Sequence, residues 1–220
     1  MIKRTLLVGA YDTATHGWTL VECALSNPEM KTNYIEKNGG DGSWDLSTVV
    51  TDGIPRYKTR ELAATLECSV GTRTERATLI SQMINQLDGL EWHIVLPDYP
   101  NHYLVGRVHV GVVYNDLAHA CVTVSAVVEP WLYKAQATAY SLTAAADERT
   151  VTLSNNGRKE LVPVLTVTGT VLLKYGTASI SLTNAASYQW PTLLLTPGNH
   201  TVAYSGSGTL AIAYREAVLR

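Results

Sequence analysis

The six histidines are the residues of this sequence best suited to bind a metal ion or to transfer a proton at neutral pH. Two of them, His109 and His119, fall on opposite strands of a hairpin that the sequence predicts, where they could approach each other. No third ligand at metal spacing accompanies them, such as a paired cysteine or an H-E-x-x-H helix. We therefore interpret all six as surface or half-buried strand residues: His16, His93, His102, His109, His119 and His200.

Three aspartates in the stretch GGDGSWDLSTVVTDG have a spacing similar to that of a calcium-binding loop. They are Asp41, Asp45 and Asp52. The stretch lacks the closing glutamate of a calcium loop and the helices that flank one. Aspartate and glycine together are typical of tight turns, because the aspartate side chain bonds to nearby backbone and glycine adopts positive φ. The sequence therefore predicts turns here, with no metal site and no cofactor.

Patterns that would indicate catalysis are absent from the sequence. The glycine-rich residues 38–42 are not followed by the helix and the Lys-Ser/Thr pair of a phosphate-binding loop, and residues 206–208 lie between predicted strands. No G-x-S-x-G nucleophile elbow occurs. The glutamates between positions 22 and 67 include no pair that the sequence would place across a glycosidic bond. We expect a protein that is not an enzyme.

Aromatic residues indicate a binding surface more strongly. The chain has 12 tyrosines and 5 tryptophans but no phenylalanine, and both residue types are favoured at interfaces and sugar-binding surfaces because they join apolar area to a polar tip. Tyr188 and Trp190 flank Gln189 on one predicted strand face, where both could stack on a sugar ring. In the alternative, Trp190 belongs to the core, because a small β-sandwich needs large inward side chains.

Composition limits the broad class of the protein. Hydrophobic residues make up 46% and charged residues 16% of the 220 positions, which supports a buried core and argues against disorder. The net charge of -2 provides no basic field to hold nucleic acid. The apolar part of residues 1–9 is too short for a signal-peptide core or a membrane span, so we expect folding in a cytosol with no membrane anchor. Cys23, Cys68 and Cys121 fit neither a disulfide framework nor a zinc site.

Two elements of the first half are predicted from hydrophobic periodicity. Valines alternate with other residues on both sides of Tyr-Asn-Asp-Leu at 114–117, so residues 106–128 predict a long antiparallel hairpin. Apolar residues at spacings of three and four predict a helix over residues 74–88, capped by Thr72 or Thr74 at its start and by Gly89 at its end. Its predicted packing face contains Ala77, Ile80, Met83, Ile84 and Leu87.

The second half has a different pattern. Residues 134–149 are rich in alanine and threonine and could begin another strand or connect two domains; we favour the connection. From residue 150 onward, turn residues about every 8–12 positions separate short predicted strands, which is typical of a β-sandwich. These strands are 151–154, 164–168, 171–175, 179–182, 193–195, 200–204 and 209–214.

These patterns together predict a mainly β chain with two domains. Residues 1–133 would form an N-terminal α+β domain, an antiparallel β-sandwich or barrel with one packed helix. Residues 150–220 would form a small C-terminal β-sandwich, and residues 134–149 would be a linker or its first strand.

Four stretches carry motifs that occur in a specific order. They are residues 39–46 (GGDGSWDL), 56–62 (RYKTREL), 96–107 (LPDYPNHYLVGR) and 128–133 (VEPWLY). That order resembles the distal tail protein family of long-tailed, non-contractile bacteriophages. Beyond residue 134 the resemblance is one of pattern, a short-stranded sandwich that ends in AYREAVL, with Ala217 where the family usually has glycine.

The resemblance implies a structural role at the tip of a phage tail. Members of the family form a ring, usually a hexamer, that joins the tail tube to the hub or baseplate, and DNA passes through its bore without specific binding. Their N-terminal domains build the ring. Their C-terminal sandwiches, some similar to galectin or carbohydrate-binding modules, project outward to support receptor-binding proteins or to touch cell-wall carbohydrate. The implied location is the virion, after assembly in the cytoplasm of the host bacterium.

Residues 41–59 are polar at their tip and β-prone along 46–50. We hypothesise that they form a hairpin arm that reaches the adjacent subunit, with Asp41, Trp44, Asp45, Leu46 and Ser47 as contact residues; an ordinary surface hairpin is the alternative. For the whole chain, the alternatives are a carbohydrate-binding or receptor-binding accessory module of a tail tip, another tail-tube or hub protein, and a cell-wall hydrolase. The hydrolase would need a carboxylate pair or metal cluster that the sequence does not contain.

Overall fold

Antiparallel strands dominate the computed structural model, which describes residues 5–51 and 53–219. This confirms the predicted mainly β fold. The chain divides into two units, one that extends to Pro130 and one that spans Trp131–Leu219. In the described part of the chain, no helix is long and apolar enough to cross a membrane.

The first unit is built around an antiparallel sheet. Its strands are β1 (Leu7–Val8), β2 (Tyr11–Asp12), β3 (Thr19–Leu25), β6 (Arg60–Cys68), β7 (Glu91–Val95), β8 (His102–Asn115) and β9 (Ala120–Val128), and two further strands, β4 (Tyr34–Glu36) and β5 (Ser43–Asp45), pair with each other outside it. The order across the sheet is β2-β1-β7-β8-β9-β6-β3. The longest hairpin, β8–β9, therefore lies at the centre of the unit.

The β8–β9 hairpin confirms the alternation seen in the sequence. Val108 and Val110 of β8, and Val122 and Val124 of β9, are buried on the core face of the sheet. The connecting turn is closed by Asp116, whose carboxylate accepts the N–H groups of Ala118 and His119 at 2.8 and 2.7 Å. Local turn chemistry and hydrophobic alternation thus specify the same hairpin.

Helix α1 (Arg73–Leu87) begins one residue earlier than predicted and ends one residue earlier. Thr72 and Glu75 form a capping box, in which each side chain accepts the other residue's N–H, so Thr72 rather than Thr74 is the N-cap. Gly89 follows with φ +74°, as a C-terminal glycine should. The buried stripe is Arg76, Ile80, Met83 and Leu87, so the predicted packing of Ala77, which is exposed, is wrong.

Arg76 joins the start of the helix to the β8–β9 turn. Its guanidinium donates to the carbonyl oxygen of Gly71 at 2.6 Å and to those of Asp116 and Leu117 at 2.9 and 3.0 Å. The residue is 1% exposed. Hydrogen bonds to these three carbonyl oxygens offset part of the cost of burying the cation.

The second unit has two long strands at its centre. The strands are β10 (Leu132–Lys134), β11 (Thr138–Ala144), β12 (Arg149–Asn155), β13 (Val164–Tyr175), β14 (Ala178–Thr183), β15 (Tyr188–Gln189), β16 (Gly198–Tyr214) and β17 (Ala217–Val218). The first half of β16 pairs with β12, its second half pairs with β11, and β13 pairs along most of its length. Core residues from both halves of β16 belong to a single buried cluster of the second unit.

Three glycines allow the backbones of β13 and β16 to approach each other closely. A Cβ atom on Gly169, Gly206 or Gly208 would lie 2.3, 2.2 or 1.8 Å from a backbone oxygen of the opposite strand. All three have positive φ, between +82° and +129°. The predicted breaks at Gly169 and at residues 206–208 are wrong, because Gly169 lies inside the continuous strand β13, and Gly206 and Gly208 lie inside the continuous strand β16.

Part of the stretch 134–149 is also a strand. Thr138–Ala144 forms β11, which pairs residue by residue with Thr209–Tyr214 and Gly208 of β16. Of the two possibilities that the sequence left open, a strand occupies these seven residues, so our preference for an extended connection is corrected there. The predicted strand 193–195 contributes an isolated bridge, Leu161–Leu195, with Leu193 and Leu195 in the core.

Candidate functional site

The segment between β3 and β6 folds on itself outside the main sheet. We call residues 29–58 the arm. Its base is closed by a bridge between Met30 and Tyr57, and by backbone hydrogen bonds from Lys31 to Arg56 and from Lys58 to Glu29, each 2.8 Å long. The Lys58 and Glu29 side chains add an exposed ion pair at 2.8 Å.

The outer part of the arm is a short hairpin. Ile35 of β4 pairs with Trp44 of β5, and Gly39 and Gly42 both adopt φ +79° in the turn. Positive φ at both positions favours glycine over any other residue. Farther along, Val49–Thr51 form a single 3-10 turn, so the expectation of a β-prone segment over residues 46–50 is wrong.

Large apolar side chains of the arm are exposed to solvent. Tyr34, Ile35, Trp44, Val49 and Val50 are 59%, 52%, 61%, 64% and 91% exposed. The ammonium of Lys37 lies 4.8 Å from the centre of the Trp44 ring, and this contact leaves most of the tryptophan uncovered. A group of exposed apolar side chains on a segment with no core of its own makes the arm the candidate interaction surface.

The residues predicted to contact a neighbouring subunit differ in whether they make hydrogen bonds within the arm. Asp41 lies exposed at the tip, and Asp45 accepts the N–H of Ser47 at 2.9 Å. Ser47 in turn accepts the N–H of Asn33 at 2.8 Å, and the N–H of Leu46 donates to the Asn33 carbonyl at 2.8 Å.

Hydrogen bonds from the Ser47 side chain and backbone lower the pKa of Asp45. Asp45, Leu46 and Ser47 therefore shape the turn after β5. Trp44 is the residue of the predicted set whose side chain is available for a contact.

Asp41 and Asp45, the two described aspartates of the predicted turn region, belong to no metal-binding cluster. Asp45 is already engaged by Ser47, and Asp52 lies outside the described residues. Over residues 5–51 and 53–219, no group of three histidine, cysteine or acidic side chains could hold an ion. None of the three cysteines forms a disulfide; Cys68 and Cys121 are buried and Cys23 is half-buried.

The two histidines of the β8–β9 hairpin do not approach each other. His109 pairs with Ser125, whereas His119 lies in the turn beyond the pair Asn115–Ala120, about 20 Å away at the rise of a strand. His109 instead bonds to Asp88 through Nδ1 at 2.8 Å. The N–H of Val110 and then this histidine hold the pKa of Asp88 below its usual range. The pair is a link between the helix C-terminus and β8.

Tyr188 and Trp190 do not form the predicted sugar-stacking surface. Tyr188 is 37% exposed on β15, but Trp190 is 6% exposed and belongs to the core cluster of the second unit. A ring packed on both faces cannot stack on a sugar. The alternative interpretation of Trp190 as a core residue is therefore confirmed, and Tyr188 alone remains available on the surface.

A groove of about 840 Å³ lies on the sheet of the first unit, where β6 to β9 run side by side. Small and apolar residues such as Ala63, Gly106 and Val127 line it, together with Glu61 and Arg107. The groove is a surface feature of the sheet.

The sequence interpretation missed the first strand of the arm. It began the arm at residue 41, whereas Tyr34 and Ile35 of β4 carry two of its exposed apolar side chains. The signal was present: a turn rich in asparagine and glycine at 38–42 requires a β-prone partner before it as well as after it.

Comparisons with known proteins identify the fold. No protein-family model matches the chain, and no curated protein matches it. The crystal structure of the SPP1 Dit protein (gp 19.1), described as a paradigm of the hub adsorption apparatus in phages that infect Gram-positive bacteria, superposes with a TM-score of 0.68 at 15% identity. The match covers 96% of this chain and 98% of that one.

Chains of the phage P2 baseplate in its activated conformation also match. With Ca the TM-score is 0.46 at 8% identity, over 98% of each chain, and with Sr it is 0.46 at 8% identity, over 96% and 98%. The similarity to SPP1 Dit covers both units and confirms the expected resemblance at the level of the fold. This chain has the fold of a phage distal tail protein.

Proposed function

We propose that this chain is a structural subunit of a phage tail tip. The observation that carries the proposal is the agreement in fold with SPP1 Dit over 96% of the chain at a TM-score of 0.68. That agreement includes the second unit, which favours a distal tail protein over the alternatives of another tail-tube or hub protein. The proposed role needs no catalytic group.

In this role, copies of the chain form a hexameric ring that joins the tail tube to the hub or baseplate. DNA passes through the bore of the ring. A net charge of -2 supports a passage without retention, because the protein has no excess of cations to release counterions from a polyanion. The mature protein would reside in the virion after assembly in the bacterial cytoplasm.

The arm is the proposed contact between neighbouring subunits. Its exposed tyrosine, isoleucine and tryptophan side chains are of the types that dominate protein interfaces, and they have no partner surface on the arm itself. The Met30–Tyr57 bridge joins the two ends of the arm, so the hairpin extends from a closed base. A neighbouring copy that covers Trp44 and Ile35 would remove their apolar surface from water.

The ring is tested by the mass and shape of the assembled protein. Purified chain is analysed by light scattering and negative-stain microscopy, alone and after co-expression with the tail-tube and hub proteins of the same phage. We expect rings of defined symmetry in at least one of these preparations. A chain that stays monomeric alone and also fails to join the co-expressed complex would rule out the proposal.

The arm is tested by cross-linking from its own surface. Ser47→Cys, made in a Cys23→Ser parent, is labelled with a photoreactive thiol reagent in the assembled ring. We expect a ladder of covalent oligomers, and Thr152→Cys on the second unit serves as the matched surface control. Cross-links confined to single subunits in intact rings would remove the arm from the interface without removing the ring.

Substitution of Trp44 measures how much free energy this side chain contributes to the subunit interface. We expect Trp44→Ala to weaken each subunit interface by about 2 kcal/mol, as an interface hot spot would, while the circular dichroism of the free chain stays unchanged. Thr32→Ala, at another exposed arm position, should leave assembly intact. Equal ring yields for the two variants would contradict a contact through Trp44.

A further inference from the structure

Two Asn-Gly pairs occur in the sequence, and the structure places them in opposite environments. Asn38-Gly39 lies at the tip of the arm, and Asn156-Gly157 follows β12 in the second unit. Asn-Gly is a chemically weak point, because glycine has no side chain to hinder attack by its amide nitrogen on the asparagine side chain. The two sites therefore form a natural pair for comparison.

The Asn38 site is open. Asn38 and Gly39 are exposed, and among the described residues no hydrogen bond engages the Gly39 N–H or the Asn38 amide. The turn is closed instead by Lys37, whose N–H donates to Gly42 at 3.3 Å and whose carbonyl accepts from Gly40 at 3.4 Å. A second glycine follows, so the backbone at 39–40 can rotate toward the geometry that ring closure needs.

The Asn156 site is held. The Asn156 N–H and side-chain amide both donate to Oε1 of Glu216, at 3.0 and 3.1 Å. The Gly157 N–H, which would have to become the nucleophile, donates to Oδ1 of Asn155 at 3.0 Å. Gly157 is buried, and a Cβ there would lie 2.5 Å from the Ala217 carbonyl oxygen. Attack at this site requires prior local opening.

We propose that Asn38 is a site of spontaneous deamidation in the free protein, with water as the co-reactant. The Gly39 nitrogen loses its proton to hydroxide and attacks Cγ of Asn38, and the bond from Cγ to the side-chain nitrogen breaks. Ammonia leaves and a five-membered succinimide remains. Water then adds to one of its two carbonyls and opens the ring to aspartate or to isoaspartate. Nothing is oxidised or reduced.

The product changes the arm in two ways. A new carboxylate appears beside Lys37, whose ammonium lies over Trp44, and competes for that cation. The isoaspartyl form also routes the main chain through Cβ, which lengthens the turn between β4 and β5 and disturbs the pairing of Ile35 with Trp44. The reaction thus acts on the tip of the arm before any neighbouring subunit covers it, and it does not depend on the proposed function.

Peptide mass spectrometry tests the proposal on the full chain. The folded protein is incubated at mildly alkaline pH, sampled over time and digested with trypsin, which releases residues 38–56 and 150–158 as separate peptides. We expect the deamidation mass shift to accumulate in peptide 38–56 more than about tenfold faster than in peptide 150–158, since the second site must first break several hydrogen bonds. A zero-time digest corrects for reaction during proteolysis.

Two controls separate structure from sequence. In denaturant both peptides should deamidate at similar rates, and Asn38→Gln, whose longer side chain forms the cyclic imide poorly, should abolish the shift in peptide 38–56. Equal rates at the two sites in the folded protein would overturn the proposal. A difference that persists unchanged in denaturant would overturn its structural basis.

Discussion

The chain contains two antiparallel hairpins of opposite character. The β8–β9 hairpin buries valines on both of its strands, whereas all six residues of β4 and β5 in the arm are exposed. An isolated two-stranded hairpin is marginally stable in water. The comparison teaches that the chain's own core orders β8–β9, while the apolar side chains of the arm need a surface from outside the arm to bury them.

The largest effect is expected from placing a charge on each hairpin. Val124→Asp puts a carboxylate at a position with 0% exposure, and we expect it to cost the first unit at least about 4 kcal/mol. Ile35→Asp in the arm should change the stability of the free chain by less than about 0.5 kcal/mol. Hydrogen exchange followed by mass spectrometry measures the stability of the first unit in each variant.

Similar losses of stability from Val124→Asp and Ile35→Asp would contradict the difference between the two hairpins. A large loss from Ile35→Asp would mean that the arm packs on its own chain in solution, and it would remove the reason for a partner surface. Ile35→Val serves as the conservative control, since it keeps the apolar character of the position.

A smaller difference is expected from the two cations that tie the hairpins down. Arg76→Met leaves three carbonyl groups near the β8–β9 turn without their donor, and we expect a loss of about 3 kcal/mol. Lys58→Met removes an exposed ion pair at the base of the arm and should cost about 0.5 kcal/mol or less. Urea denaturation of the two variants, side by side, checks the ranking.

The smallest difference is expected in acid. The N–H groups of His119 and Ala118 lower the pKa of Asp116. Hydrogen bonds from the Ser47 side chain and its backbone N–H lower the pKa of Asp45. A lowered pKa in the folded state gives stability that is present above the ordinary aspartate value of about 4 and is lost as pH falls through the folded pKa. We expect protonation of Asp116 to lower the stability of the first unit. We expect protonation of Asp45 to loosen only the turn of the arm.

Hydrogen exchange at several pH values separates the two aspartates. Asp116→Asn should flatten the acid dependence of protection in the β8–β9 region, whereas Asp45→Asn should change exchange only near residues 45–47. Identical acid profiles for Asp116→Asn and the unchanged chain would contradict a role for this carboxylate in the stability of the first unit.

The two hairpins also differ in how far they could be predicted. The β8–β9 hairpin and helix α1 follow from alternation and caps, which are local signals. The buried position of Arg76 could not be predicted, because its acceptors Asp116 and Leu117 lie some 40 positions away in the sequence. A helical arginine reads as a solvent-facing residue until its distant partner is known.

Glycine was the main source of error in the second unit. Gly169, Gly206 and Gly208 predict turns from the sequence, but each lies inside a long strand where the opposite backbone approaches too closely for a Cβ. The sequence alone does not distinguish a glycine that ends a strand from one that allows a close backbone approach within it, because both use the absence of a side chain.

The candidate site was predicted in part. Trp44 was identified as a contact residue and is exposed, while Trp190, of the same residue type, is buried in the core. Which of two tryptophans faces solvent depends on tertiary packing, which neither residue reveals locally. The contact of the arm with a neighbouring subunit and the assignment of residues 1–133 to ring formation stay predictions.

The position of β16 near the end of the chain has a consequence for biosynthesis. Three strands, β11, β12 and β13, take their hydrogen bonds from β16, and Thr138 at the start of β11 pairs with Tyr214 at its end. The ribosome therefore releases three strands whose edges must wait, unpaired, for a partner that has not yet been translated. The second unit completes its sheet only after Tyr214 has emerged, so β11 waits for the synthesis of about 70 further residues before its partner strand is available.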